Sequence, residues 1–226
     1  MRIAKNVEML EIESEGRVLN LVLTWDDSEL VLIDTGLPGQ TELIREAVSQ
    51  AGFALEKLTK VILTHQDMDH IGCARVLSDM GAAILAHEKE APYLQGEATP
   101  VRLAQLEARL EELDEGELAY YEQVKQNAPH FYVPVAIQLK DNDYLDICGG
   151  IKVIHTPGHM PGHIALLLVK SNVLAVGDAA NLIDGELKGA NPVYTLDMAE
   201  AELSFKKMMS ENPSYVVCCH GGLYVC

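Results

Sequence analysis

Two histidines and two aspartates fall within six residues of the segment THQDMDHIG: His65, Asp67, Asp69 and His70. The segment follows the apolar run VILT and leads into the stretch Ile71 to Met80, so it reads as a polar loop between a buried strand and a helix. Carboxylates this close repel unless a cation neutralises them, and a divalent ion would also order the loop. The fold must therefore bring further metal-ligating residues to this loop.

Three other residues of ligand type stand just beyond apolar strands: His159 after IKVIHTPG, Asp178 after NVLAVG, and His220 after YVVCC. Loops at strand ends form the working crevice of open α/β sheets, so four such ends can converge on one site. His87 and His130 are lone histidines and read as ordinary core or surface residues. His155 lies with His159 and His163 in HTPGHMPGH, where prolines and glycines force tight turns. One ligand and one residue supporting it are expected from that stretch.

The element pattern supports a two-layered β-rich frame. Val7 to Ile12, Val18 to Trp25 and Glu29 to Asp34 read as a meander, followed by a helix over Thr41 to Gln50. A strand over Val61 to Thr64, a helix over Ile71 to Met80 and a strand over Ala82 to Ala86 continue as α/β alternation.

Thr99 is placed to N-cap a helix with Pro100 at its first position, and Leu103, Leu106, Leu110 and Leu113 supply a helical stripe. Gly116 is expected to separate this helix from a second one running through Val124. The pair makes a helical insertion at about 88–130, either a lid or a contact through which a homodimer can form. Val135 to Leu139, Tyr144 to Ile147, Ile151 to His155, Ile164 to Val169, Val173 to Val176 and Tyr215 to Cys219 form a second β-rich block, with a helix over Asp197 to Ser210.

At 226 residues and 48% hydrophobic, a single domain over 1–226 is expected. A net charge of −17 disfavours nucleic acid, and no apolar run approaches the ~18 residues that span a bilayer. Glu8, Glu11, Glu13 and Glu15 interrupt any signal-like stretch, and five cysteines without CxxC spacing fit reduced thiols that behave as small hydrophobes. A cytoplasmic protein acting on a small molecule, with no nucleic-acid or membrane partner, is expected.

Taken together, THQDMDHIG, TPGHMPGH, GDAA and CCHGG resemble the successive metal motifs of the metallo-β-lactamase superfamily, and Asp34 in LIDTG resembles its early structural aspartate. The resemblance implies a four-layer αβ/βα sandwich of two mixed sheets and a dinuclear centre. One metal would take His65, Asp67 and His159, the other Asp69, His70 and His220, with Asp178 bridging and His163 supporting from behind. Most hydrolytic members carry a histidine where this chain has Asp67. That carboxylate keeps Zn²⁺ as the expected metal but also suits Mn²⁺ or Fe.

Glyoxalase II and the lactonases of this superfamily imply cleavage of a small ester, lactone or thioester by a hydroxide held between two divalent ions, with Asp69 handling the proton. The same geometry serves small phosphodiesters. A carboxylate at position 67 also resembles the di-iron core of the flavodiiron reductases, whose residue there is a glutamate, and offers a redox alternative.

Overall fold

The computed structural model describes residues 1–226. The first half lays down Arg2–Ala4 (β1), Val7–Ser14 (β2), Arg17–Trp25 (β3), Leu30–Ile33 (β4), helix Thr41–Gln50 (α1) and Lys60–Leu63 (β5). Two short helices, Met68–Ile71 (α2) and Ala74–Asp79 (α3), precede Ala83–His87 (β6), and Ala91–Leu94 (α4), Val101–Glu107 (α5) and Glu115–Asn127 (α6) follow it. Then come Ile137–Leu139 (β7), Tyr144–Leu145 (β8), Ile151–His155 (β9), Ile164–Leu168 (β10), Val173–Ala175 (β11), a hairpin of Ala180–Ile183 (β12) and Glu186–Gly189 (β13), helix Met198–Met209 (α7), Tyr215–Cys218 (β14) and Gly222–Val225 (β15).

Seven strands pair in the order β1-β2-β3-β4-β5-β6-β7, and six in the order β15-β14-β11-β10-β9-β8. Both sheets are mixed: β4, β5, β6 and β7 run parallel after an antiparallel meander, and β11 pairs parallel with β14 in an otherwise antiparallel sheet.

Side-chain alternation explains the layering. Along β4, Val31 and Ile33 face the second sheet while Leu32 joins the cluster under α1 and α3, and Ile62 and Leu85 sit between the sheets while Val61, Leu63 and Ile84 face outward. In the second sheet Ile164, Leu166 and Leu168 point inward, and Ala165 and Leu167 pack outward with Met208 of α7. A two-residue period with both faces apolar is what a sheet covered on both sides requires. The result is the helix, sheet, sheet, helix sandwich expected from the sequence.

Four expectations need correction. The helix expected over Ile71 to Met80 is broken into α2 and α3, because backbone and side chains of residues 35–36 take its hydrogen bonds: Thr35 N donates to His70 O (2.7 Å), Gly72 N to Gly36 O (2.8 Å) and Cys73 N to Thr35 Oγ1 (3.2 Å). Gly72 permits that approach, since a Cβ there would lie 2.3 Å from the Leu37 carbonyl carbon.

Thr99 does not cap α5; the first helical N–H, from Val101, is met by Gln66 Oε1 at 2.8 Å. The break inside the insertion falls at Asp114, not Gly116: Asp114 caps α6 in a reciprocal capping box with Glu117, and Gly116 lies within the helix. The D-x-x-E pattern was available for that assignment. Of the expected leucine stripe only Leu103 is buried. The hairpin β12-β13 and the terminal strands β1 and β15 were not anticipated.

No helix is long and apolar enough to cross a membrane. Leu32 is completely buried, so Leu32→Ala should lower unfolding free energy by about 2–5 kcal/mol. Leu118→Ala on the exposed side of α6 should change it by less than about 0.5 kcal/mol, both read from urea denaturation.

Candidate metal centre

The site is built at one edge of the sandwich, where the ends of β5, β9, β11 and β14 meet. Backbone bonds stitch the two sheets together there: Ile164 N donates to Thr64 O (3.0 Å) and Asn20 N to Cys219 O (3.0 Å), the latter reinforced by Asn20 Nδ2 at 3.0 Å. His65, His70 and His159 are buried, as are the supporting Thr64, Asp34 and His163.

Asp34 organises the floor from a left-handed backbone (φ 61°) just past β4. Its carboxylate accepts from Thr64 N (2.8 Å), from Thr64 Oγ1 (2.8 and 3.0 Å) and from His70 Nδ1 (2.8 Å). With its hydroxyl proton committed to Asp34, Thr64 Oγ1 can only accept from His65 Nδ1, 3.1 Å away. In their neutral forms both imidazoles are thereby set in the tautomer that leaves the Nε2 lone pair for a metal.

His65, Asp67 and His159 form one group: Asp67 Oδ2 lies 3.6 Å from His65 Nε2 and 3.2 Å from His159 Nε2. His70, Asp69 and His220 form a second, with Asp69 Oδ1 3.7 Å from His70 Nε2 and Asp69 Oδ2 3.3 Å from His220 Nε2. Asp178 stands between them, its Oδ2 3.5 Å from His159 Nε2 and its Oδ1 3.3 Å from His70 Nε2 and 3.4 Å from His220 Nε2. All seven residues singled out in the sequence are thus brought together.

These acceptors fit a divalent cation. His65 Nε2, His70 Nε2 and Asp178 Oδ1 are buried without any hydrogen-bond partner. A positive charge is required between His70 Nε2 and Asp178 Oδ1, either a metal ion or, without one, a proton on His70: burial lowers the His70 pKa, but Cys219, Asp34, Asp178 and Asp69 around it raise it well above the usual value. Burial raises the Asp67 and Asp178 carboxyls, but the surrounding histidines, and for Asp67 also Arg102, outweigh it and hold both well below the usual range. Asp69 is likewise raised by burial and drawn down by His70 and His220 to about 2. All three are therefore ionised at neutral pH.

Other histidines separate cleanly by their partners. His163 accepts the Asp178 backbone N–H at Nε2 (3.0 Å) and turns Nδ1 toward Thr156 Oγ1 (2.8 Å), so it holds Asp178 from behind. Gly177 (φ 50°) makes room, since a Cβ would meet His163 Nε2 and Thr64 Oγ1 at 2.8 Å. His155 stays outside the cluster, stacked on His87 (4.2 Å, 7°) with Nε2 on Pro161 O at 3.0 Å. His130 is exposed on the insertion.

Three neighbours were not singled out as site residues. The Cys219 thiol, read as a buried hydrophobe, can reach the same ligand cluster as His70, Asp178 and His220, and Cys218 points instead into the core under α7. Arg102 of α5 forks onto Asp67. Glu90, fully buried, accepts from Gln66 Nε2 (2.9 Å) and Gly162 N (2.8 Å), tying the loop of His65 to the loop of His159. An isolated arginine in a helix, or glutamate in a turn, carries no spacing signal that would have revealed either.

Burial pushes the Glu90 carboxyl up from 4.5 to about 7, only partly offset by the donors from Gln66 and Gly162. In the metal-free protein the folded state keeps a proton that the unfolded chain releases between those pH values, so Glu90 lowers stability as pH rises through that window and no further above it. The loss should be about 3 kcal/mol, and Glu90→Gln should remove it when urea midpoints are compared at pH 5 and pH 8.

The family model described as the metallo-beta-lactamase superfamily matches residues 16–220. A probable metallo-hydrolase of Bacillus subtilis (strain 168), YflN, is 27% identical over 96% of this chain and 84% of its own length. The hydroxyacylglutathione hydrolase GloC of Haemophilus influenzae is 23% identical over 76% of this chain and 71% of its own. Among solved structures, the metallo-beta-lactamase family protein TTHA1429 of Thermus thermophilus superposes with a TM-score of 0.77 at 21% identity, over 98% of this chain and 75% of that one, a likeness of fold. With the matched motifs at the ends of the strands that carry the site, the chain belongs to the metallo-β-lactamase superfamily and is a metal-dependent hydrolase of that fold.

Proposed function

We propose that the protein is a dinuclear metal hydrolase that cleaves a small ester, lactone or thioester. The observation that carries this reading is Asp178, whose two oxygens face two separate groups of ligand atoms. His65, Asp67 and His159 would hold one divalent ion, and His70, Asp69 and His220 the other, with Asp178 shared. Two such ions, when bound, lower the pKa of water from 15.7 to about 7 and polarise a carbonyl oxygen.

What the chain itself supplies is orientation and proton handling. Asp34 and Thr64 lock the histidines, and His163 fixes the Asp178 backbone, so the acceptors are arranged before substrate arrives. The Asp69 side chain is 29% exposed and that of His220 38%, while His65 and His70 are sealed, so substrate enters over Asp69 and His220. An ionised Asp69 accepts the hydrogen bond of the attacking water and relays its proton to the leaving group. Exposed Val193 and Tyr194, on the loop whose Tyr194 carbonyl contacts Arg102, offer an apolar wall for the acyl portion.

Zinc is the metal the donor set favours. Four imidazoles suit it, and the Arg102 guanidinium offsets the additional carboxylate charge that makes Asp67 hospitable to harder ions. That offset also weakens the iron-based redox alternative.

Replacement of Asp178 by Ala should reduce bound metal from two ions per chain and cut turnover of generic esters, lactones and thioesters by at least about 100-fold. Elemental analysis and steady-state rates measure both, and unchanged values for the two together would sink the proposal.

A further inference from the structure

Arg102 is the one lysine or arginine paired with any of the three site carboxylates. Its Nε lies 3.2 and 3.3 Å from the two Asp67 oxygens, and Nη2 lies 2.9 Å from Oδ2. The oxygen it grips hardest is the one that faces His65 and His159. Nη2 also donates to Tyr194 O at 2.6 Å, so a single guanidinium joins α5, the metal loop and the loop that precedes α7. Alongside it, Val101 N donates to Gln66 Oε1, which roots the start of α5 on the same loop.

We propose that Arg102 is a positioning residue with two coupled effects: it sets the charge of the first metal pocket, and it latches the helical insertion to that pocket through Asp67. The inference rests on the metal-centre reading above. A cation placed on a ligand oxygen draws away part of the charge that would attract a second cation, so the first metal is held less tightly than three histidine and carboxylate ligands alone would hold it. The pair is half-shielded from solvent, with side chains 33% and 15% exposed, so the effect is not lost to screening as it would be at the surface. Because Asp67 is common to both partners, α5 and the Tyr194 loop are docked by the residue that holds the ion.

The test compares Arg102→Met, which keeps bulk without charge, Arg102→Lys, which keeps charge without the fork, Asp67→Asn, and the Met/Asn double variant. Zinc affinity at each site is measured by chelator competition, and docking of the insertion by the rate of limited proteolysis within residues 88–130. Arg102→Met should bind the first zinc about tenfold more tightly, while Arg102→Lys stays near wild type. Arg102→Met and Asp67→Asn should each speed cleavage of the insertion, Arg102→Met about tenfold because it also loses the bond to Tyr194 O, and the double variant should be cleaved no faster than Arg102→Met, in which the contact with Asp67 is already lost. A first zinc bound equally or less tightly in Arg102→Met, or cleavage at the wild-type rate, overturns the proposal. A wild-type protein that binds none of zinc, manganese or iron overturns the metal-centre reading instead, and the proteolysis comparison still decides whether the latch exists.

Discussion

The buried Asp34 carboxylate is the interaction from which the site is assembled. It sits at a left-handed residue immediately beyond β4, and it collects the backbone N–H and hydroxyl of Thr64 beyond β5 and the imidazole of His70 in α2. Those hydrogen bonds do more than join two strand ends. They decide which nitrogen of the neutral imidazoles carries the proton, and therefore that His65 offers Nε2 beside Asp67 and His70 offers Nε2 beside Asp178. A group whose own hydrogen-bonding capacity is consumed in this way leaves its neighbours as acceptors with nothing to accept from, which is the electrostatic condition for holding cations.

The sandwich and the site depend on each other through that edge. Apolar alternation drives the two sheets together along most of their length, but their registry at the site is fixed by polar contacts: Thr64 O receives Ile164 N, and Cys219 O receives Asn20. The same competition for hydrogen bonds breaks the helix after His70, because the loop at Thr35 and Gly36 takes the groups a continuous helix would use. A local propensity for helix yields here to a tertiary demand, and the outcome is a short turn that aims Asp69 and His70 in the needed direction.

Charge is managed in two layers. Close in, Asp67, Asp69 and Asp178 remain ionised among histidines. Further out, Arg102 compensates Asp67, while Glu90 lies buried with its carboxyl raised to about 7 and joins the loops of His65 and His159. Helix α5 thus contributes to the centre electrostatically, and Gln66, set between two of the cluster's residues, serves as its anchor.

Much of this was legible in the chain before folding. Alternating apolar runs indicated which segments are strands covered on both faces, and His65, Asp67, Asp69, His70, His159, Asp178 and His220 were recognisable because ligand-type residues directly follow those runs. Both signals are local, since a strand's period and the residue at its end are properties of a few consecutive positions. Which oxygen of Asp178 faces which group, the exclusion of His155, the approach of Cys219 and the grip of Arg102 on Asp67 were decided only in three dimensions. Each depends on the packing of segments far apart in the chain, and hydrogen bonds and ion pairs made across such separations impose no spacing on the sequence that encodes them.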